Sequence, residues 1–186
     1  MDEGKHKPEV SHSIKEPSSP AAKWLESNHR FLRLMGTILA VVHPEQYKTG
    51  LAILTRIQDD PNLLRQPEYV DNMSTIWCCP FSGISVLCNA CTPEHRDPLG
   101  QNNWYDILAT MGTYSRQHQF YLPGLGTSVS YGPGTVVAIC GWLLSHAVDF
   151  AAEGDQAVFA GYNRESVRKW LNLPEGEYST VDNIIM

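Results

Sequence analysis

Two side chains of metal-binding type, those of His95 and Asp97, stand two positions apart in the sequence. On an extended backbone, side chains at positions i and i+2 point to the same face of the strand, so this pair could bind one metal ion together. His146 stands further along the chain, at the start of a predicted strand, and could supply a third ligand. Two imidazoles and one carboxylate suit a non-haem Fe(II) site in which three adjacent positions remain open for an oxoacid and dioxygen. The three residues therefore suggest an iron centre.

A His-x-Asp pair alone is a weak signal, because it also arises by chance in solvated turns. A different metal site would use the cysteines. Cys88 and Cys91 have C-x-x-C spacing, and together with Cys78, Cys79 and His95 they could form a zinc site of thiolates and an imidazole. Packed, reduced thiols are the ordinary alternative, since Cys88 follows an apolar run. Metal analysis would separate the two sites, because one binds iron and the other zinc.

The elements that precede these residues are predicted to be a leader and two helices. Residues 1–20 mix charges, prolines and serines without apolar periodicity, which predicts a disordered leader. Apolar residues recur at helical spacing over 21–42, and Pro44 can begin a second helix that stops at Asp59, Asp60 and Pro61. We therefore expect helices over 21–60 at the start of a single domain that spans 21–186.

From residue 75 onward the sequence changes to short runs rich in β-branched and aromatic residues. Strands are predicted at 76–79, 82–89, 117–122, 127–131, 135–140, 145–149 and 156–162. The segment 104–112 is predicted to form a short helix, and 164–171 a closing helix. Glycine and proline turns at 123–126 and 132–134 are typical of a compact barrel or sandwich. The fold class is therefore mainly β with flanking helices (α+β), with a barrel core over 75–165.

Composition limits the compartment and the partners. The net charge of -6 disfavours passive attraction to nucleic-acid phosphates. No apolar run is long enough to cross a bilayer, and the odd count of five cysteines suits reduced thiols in the nucleus or cytoplasm. A nucleic-acid partner would require a local basic groove, and the cations that could form one are Arg96, Arg116, Arg164, Arg168 and Lys169. The sequence does not determine the oligomeric state.

Several segments match a known pattern in both order and spacing: Trp77, FSGI at 81–84, TPEHRD at 92–97, WYDIL at 104–108, LPGLG at 122–126, YGPGTVV at 131–137, Gly141, His146 and FAGYNR at 159–164. With them, the stretch 89–171 resembles the fungal branch of the TET/JBP family of Fe(II)/2-oxoglutarate dioxygenases, which oxidise methyl groups on nucleic-acid bases. The resemblance implies a double-stranded β-helix barrel of jelly-roll or cupin type with two N-terminal helices. It also implies Fe(II), 2-oxoglutarate and dioxygen bound at His95, Asp97 and His146, with methylated DNA or RNA as partner and 5-methylcytosine as the first expected target.

Two positions depart from the family pattern. The family usually has an arginine at the start of the last core strand, where it binds the far carboxylate of 2-oxoglutarate, and this chain has Gln156 there. The pattern before the metal motif commonly reads Asn-Arg, and this chain has Asn89 and Ala90. Arg164 is the first candidate for a replacement cation and Arg116 the second. The departures leave open two alternatives: a same-fold oxygenase acting on a small molecule or protein, and a degenerate barrel that binds without turnover.

The remaining candidate residues divide into two groups. His118 and Tyr131, with Gln156 and Arg164, are candidates for contact with the cosubstrate, although a core histidine and a core aromatic are the commoner roles. The candidates for contact with a substrate base or its backbone are Asn89, Arg96, Trp104 and Tyr105. The two aromatic residues among them could stack on a flipped base, or Trp104 could simply pack at the start of the predicted helix.

Overall fold

A computed structural model of the chain describes residues 7–149, 153–178 and 180. The chain divides into two compact units. The helical unit comprises Met1–Pro80 and Ser166–Met186, and the β unit comprises Phe81–Glu165. In the described ranges no helix has the length and apolar character needed to cross a membrane.

The helices of the chain are α1 (Pro20–Ser27), α2 (His29–Val42), α3 (Pro44–Asp59), α4 (Val70–Ile76) and α5 (Glu165–Trp170). The second predicted helix corresponds to α3, which begins with Pro44 and is capped by His43, whose Nδ1 accepts a hydrogen bond from the Gln46 N–H. The single helix predicted over 21–42 is instead two helices that meet at Asn28. The Asn28 side chain donates to the Trp24 carbonyl, and this local bond competes with continuation of the helix.

The described part of the predicted leader is ordered. A one-turn 3-10 helix spans His12–Ile14, and Val10 and Ile14 are buried. The Asn72 amide donates to the Ile14 carbonyl, so a polar side chain of α4 also anchors the segment. Composition predicted disorder because it does not show that two isolated apolar residues find partners in the fold. Residues 1–6 lie outside the described residues.

The β unit contains eight strands: β1 (Gly83–Cys88), β2 (Thr92–His95), β3 (Asp106–Gly112), β4 (Gln119–Leu122), β5 (Thr127–Ser130), β6 (Val136–Ile139), β7 (His146–Val148) and β8 (Gln156–Tyr162). They form two four-stranded antiparallel sheets with the orders β1-β8-β3-β6 and β2-β7-β4-β5. Neighbouring strands within each sheet are mostly distant in sequence, as expected of a double-stranded β-helix. The predicted fold class is confirmed.

The segment 104–112 was wrongly predicted as a helix. It contains β3, which is paired on one side with β8 and on the other with β6. Ile107 and Ala109 are buried on alternate positions, while Leu108 faces the opposite side of the sheet. Pairing on both edges overrides the helical preference of leucine, alanine and methionine, because strand formation depends on the neighbouring strands. The prediction of a strand at 76–79 was also wrong, since Ile76 is the last residue of α4.

Candidate active site

His95 and His146 are brought together by strand pairing. His95 is the last residue of β2, His146 is the first of β7, and the two are direct partners in the antiparallel register. Their ring centroids are 4.3 Å apart. Asp97 lies between their Nε2 atoms, with one carboxylate oxygen 3.7 Å from His95 and the other 3.6 Å from His146. The three predicted ligands therefore converge, and the ligand atoms all lie within 4.8 Å of one another.

Hydrogen bonds to the backbone orient both imidazoles. His95 Nδ1 lies 2.9 Å from the Pro93 carbonyl oxygen, and His146 Nδ1 lies 3.0 Å from the Leu144 carbonyl oxygen. A carbonyl oxygen only accepts, so the proton of each neutral ring is held on Nδ1 and the lone pair of Nε2 faces Asp97. Metal-binding histidines usually have such a partner on the ring nitrogen that does not bind the metal, and it fixes the orientation of the ring. The donor set and its orientation fit a divalent iron ion.

Asp97 is held by the loop that follows β6. Its backbone N–H donates to the Gly141 carbonyl at 2.9 Å, and Gly141 is buried against the side chains of Asp97 and Asp106. The pKa of Asp106 is raised to about 7, chiefly by burial and also by the neighbouring Asp97 carboxylate, while the charge of Arg164 acts in the opposite direction. The Asp106 carboxyl group therefore interacts with both the metal ligand Asp97 and the Arg164 guanidinium.

A cavity of about 470 Å³ opens beside the three ligands within the β unit. Its volume lies in the range of small-molecule sites. Its walls come from both sheets and include the apolar side chains of Leu108, Ile139, Val148 and Val158. The Phe120 ring stacks on the His146 ring, with centroids 5.5 Å apart and planes 12° from parallel. The ligands therefore face a largely apolar space, in which electrostatic interactions are strengthened.

Three of the residues predicted to contact the cosubstrate line this cavity: Tyr131, Gln156 and Arg164. Ala90, where the family pattern has a cation, also lines it. His118 is not among the lining residues. Its ring packs edge-on against Tyr114 and stacks beside Tyr131, with centroids 5.4 and 6.4 Å away, so it lies behind the cavity wall.

The residues predicted to contact a substrate lie outside the cavity lining as the structure describes it. Asn89 closes the start of β8: its side chain accepts from the Gln156 N–H at 2.7 Å and donates to Asp155 at 3.1 Å. Arg96 is exposed, since it alternates with His95 and Asp97. Trp104 is buried and precedes a strand instead of opening a helix, and the partly buried Tyr105 follows it. The second candidate cation, Arg116, is also exposed and outside the lining.

Sequence reasoning assigned no role to Asp106, Phe120 or Gly141, which the structure places against the metal ligands. The helix predicted over 104–112 concealed the role of Asp106, because in a helix its carboxyl group would not be expected to face the metal ligands. The only available signal for Gly141 was its place in the matching segments.

The alternative zinc site is not formed. Among the described residues, which include all five cysteines, the one group with metal-binding geometry is His95, Asp97 and His146. Cys88 and Cys91 are exposed, and the buried Cys140 thiol lies within hydrogen-bonding distance of the Gln101 and Asn102 carbonyls.

Comparison with known families gives a match over most of the chain. The model of the Tet_JBP family, described as the oxygenase domain of the 2OGFeDO superfamily, matches residues 4–165. No curated protein matches the sequence.

One solved structure shows the same fold. The structure of NgTET1 in complex with 5mC DNA superposes with a TM-score of 0.62 at 13% identity, covering 100% of this chain and 65% of that one. An RmlC-like cupin protein from Desulfovibrio desulfuricans gives a TM-score of 0.30 at 12% identity, over 43% of this chain and 73% of that one. Ectoine synthase from P. lautus gives 0.29 at 13% identity, over 54% and 74%. The TM-score of the first match shows a shared fold, and the TM-scores of the other two are too low to show one.

Proposed function

Because the chain belongs to the Tet_JBP family of oxygenase domains, we propose that it is a dioxygenase that oxidises a methyl group on a nucleic-acid base, with 5-methylcytosine as the first candidate. The superfamily uses Fe(II) and 2-oxoglutarate. The observation that carries the proposal is the convergence of His95, Asp97 and His146 at the wall of a largely apolar cavity. We further propose that the chain belongs to the fungal branch and acts in the nucleus or cytoplasm.

The residues of the chain would bind and orient the iron, the cosubstrate and the substrate, and the bound groups would supply the oxidant. Iron, 2-oxoglutarate and dioxygen together convert a methyl group to a hydroxymethyl group, releasing succinate and carbon dioxide. His95, Asp97 and His146 would hold the iron through Nε2 and carboxylate oxygens. Phe120 would keep the His146 ring in place, and the apolar walls would exclude water from the reacting groups.

The nucleic-acid part of the proposal has two supports. The fold is shared with NgTET1, whose structure contains 5mC DNA. The walls of the cavity come from both sheets, so a duplex base could enter between them only after being flipped out of the stack. A base is planar and apolar on both faces, which suits walls built from aliphatic side chains.

We expect succinate to form faster when the Fe(II)-loaded protein receives 2-oxoglutarate, air and an oligonucleotide containing 5-methylcytosine than when the oligonucleotide is unmethylated. The physical reason is that only the methylated base presents a C–H bond to be oxidised at the iron. Succinate and the hydroxymethylated base would be measured by mass spectrometry. His146→Ala is the matched inactive control, and equal succinate with both oligonucleotides would contradict a methylated-base substrate.

A small molecule or a protein is the second candidate substrate class, and the charge distribution favours it. The net charge is -6, and Arg164 is the only lysine or arginine among the described residues that line the cavity. Arg168 is buried and donates to the Leu173 carbonyl, which leaves it unsuited to a surface groove.

The salt dependence of oligonucleotide binding separates these classes. If nucleic acid binds beside the metal ligands, the exposed Arg96 should neutralise a phosphate, and Arg96→Glu should reduce the slope of log K against log salt by about one. Lys23→Glu, at an exposed position of α1 that is not among the candidate groove cations, changes the net charge equally and serves as the control for a global effect. Fluorescence anisotropy from about 50 mM salt upward would measure both. Binding that is undetectable at that salt would favour the small-molecule or protein class.

A further inference from the structure

Two buried hydrogen-bonding groups line the cavity without a partner in the described part of the chain: the Tyr131 hydroxyl and the Gln156 side-chain N–H. Tyr131 is 0% exposed and Gln156 is 2% exposed. Buried polar groups are nearly always hydrogen-bonded in native proteins, because leaving one unpaired is destabilising. Burial raises the pKa of the Tyr131 hydroxyl, so it remains a donor. Unpaired donors facing a cavity indicate that a ligand supplies their acceptor.

The residues that carry the two donors are attached at the same end of the barrel. Gln156 is the first residue of β8 and pairs with Gly112, the last residue of β3. Tyr131 is fixed beside Thr110, two residues earlier in β3, because the Tyr114 hydroxyl donates to the Tyr131 carbonyl and contacts the Thr110 hydroxyl, each at 2.7 Å. The backbones of both residues are therefore near the Gly112 end of the central strands.

Arg164 lies at the opposite end. It follows Tyr162, the last residue of β8, and its guanidinium lies 4.2 Å from the centre of that ring. Its charge acts on Asp106, the first residue of β3. Gln156 and Tyr162 are separated by ~20 Å along an extended strand. The side chain of Arg164 is therefore placed to act beside Asp106 and not beside Gln156.

Phe120 connects the metal ligand His146 to Tyr131. Its ring stacks on His146 and also contacts Tyr131, whose ring centroid is 5.2 Å away. An oxoacid held at the metal ligands and extending along Phe120 would bring its far end toward Tyr131.

We propose that Tyr131 and Gln156 form a neutral subsite that recognises the far end of the oxoacid by hydrogen bonds, without a cation. This inference rests on the proposed function, because it requires an oxoacid bound at the iron. Its consequence is relaxed charge selectivity: the chain accepts a 2-oxoacid whose far end is a neutral hydrogen-bond acceptor nearly as well as 2-oxoglutarate.

Three oxoacids test the subsite in the unaltered protein: 2-oxoglutarate, its 5-methyl ester and 2-oxopentanoate. The ester keeps acceptor oxygens but lacks the charge, and 2-oxopentanoate lacks both. Anaerobic titration of the Fe(II)-loaded protein would be followed by the visible absorbance band of the iron–oxoacid chelate and by calorimetry. We expect 2-oxoglutarate and the ester to bind within about fivefold of each other, and both to bind at least about fivefold more tightly than 2-oxopentanoate.

Three variants test which residues recognise the far end of the oxoacid. Tyr131→Phe should reduce the advantage of the ester over 2-oxopentanoate by about three- to tenfold, the range expected for one neutral hydrogen bond. Tyr162→Phe is the matched control, because it removes a hydroxyl from the other end of the same cavity and should leave this advantage unchanged. Gln156→Arg should introduce a preference of tenfold or more for 2-oxoglutarate over its ester.

Two results would overturn the subsite. If the unaltered protein prefers 2-oxoglutarate over the ester by more than tenfold and Arg164→Ala removes that preference, Arg164 recognises the far end, and the proposed function still stands. If iron binds but no oxoacid does, the dioxygenase assignment and the subsite both fail. The comparison of oxoacids in the unaltered protein does not depend on whether any variant folds.

Discussion

Fe(II) binding should be abolished, with a loss of at least about a hundredfold in affinity, by His146→Ala and equally by His95→Ala and Asp97→Ala. Each substitution removes one of three converging donors and leaves an incomplete ligand set. The fold should be largely retained, because these residues lie at strand ends or just beyond and not in the apolar centre of the unit. Iron content after anaerobic loading and thermal unfolding would be measured together.

The matched control is His118→Ala. It removes a histidine of the same β unit that packs on Tyr114 and Tyr131 outside the group of three, and it should bind iron like the parent. Iron affinity that survives in His146→Ala would show that the third ligand has been misassigned, while the His95 and Asp97 assignments would stand on their own variants.

Gly141→Ala should weaken iron binding by about ten- to a hundredfold without removing any ligand, the range seen when supporting contacts of metal ligands are lost. A β-carbon at this position would overlap the Asp97 carboxylate and lie 2.9 Å from an Asp106 carboxylate oxygen. The backbone of the loop cannot yield easily, because the Gly141 carbonyl accepts the Asp97 N–H. The added methyl group therefore displaces the carboxylate, and overpacking should also lower the free energy of unfolding by about 1–3 kcal/mol.

Gly100→Ala is the control for that substitution. Gly100 lines the same cavity, but a β-carbon there would meet its nearest neighbours, the Asp97 carbonyl oxygen and the Trp142 β-carbon, at 3.5 and 3.6 Å. These are ordinary contacts, so iron affinity should be unchanged. Calorimetric titration with Fe(II) under anaerobic conditions would compare the two variants, and equal affinities would mean that Gly141 does not position Asp97.

Local sequence was sufficient to predict the features that depend only on residues close together in the chain. The His95 and Asp97 pair could be recognised from its spacing, since alternation along an extended segment places both on one face whatever surrounds them. The boundaries of β8 matched the predicted segment, and the start and end of α3 followed from proline and aspartate signals at its ends. The family resemblance rested on the same residue types in order, and the match to the family model confirms it at the level of the family.

Tertiary structure decided whatever depended on strand pairing. Spacing alone could not show that His146 faces His95, because that contact is created by the register of β2 and β7. The sequence pattern also predicted a helix at β3, because the extended form of this segment is imposed by neighbouring strands on both edges.

The two ends of the cavity also show which features the sequence predicts and which depend on the tertiary structure. The sequence offered Gln156 and Arg164 as candidates for one cosubstrate site, and both line the cavity, but the extended length of β8 separates them. The sequence determines which residue types are present, and the hydrogen-bonded register between distant strands determines which of them come into contact.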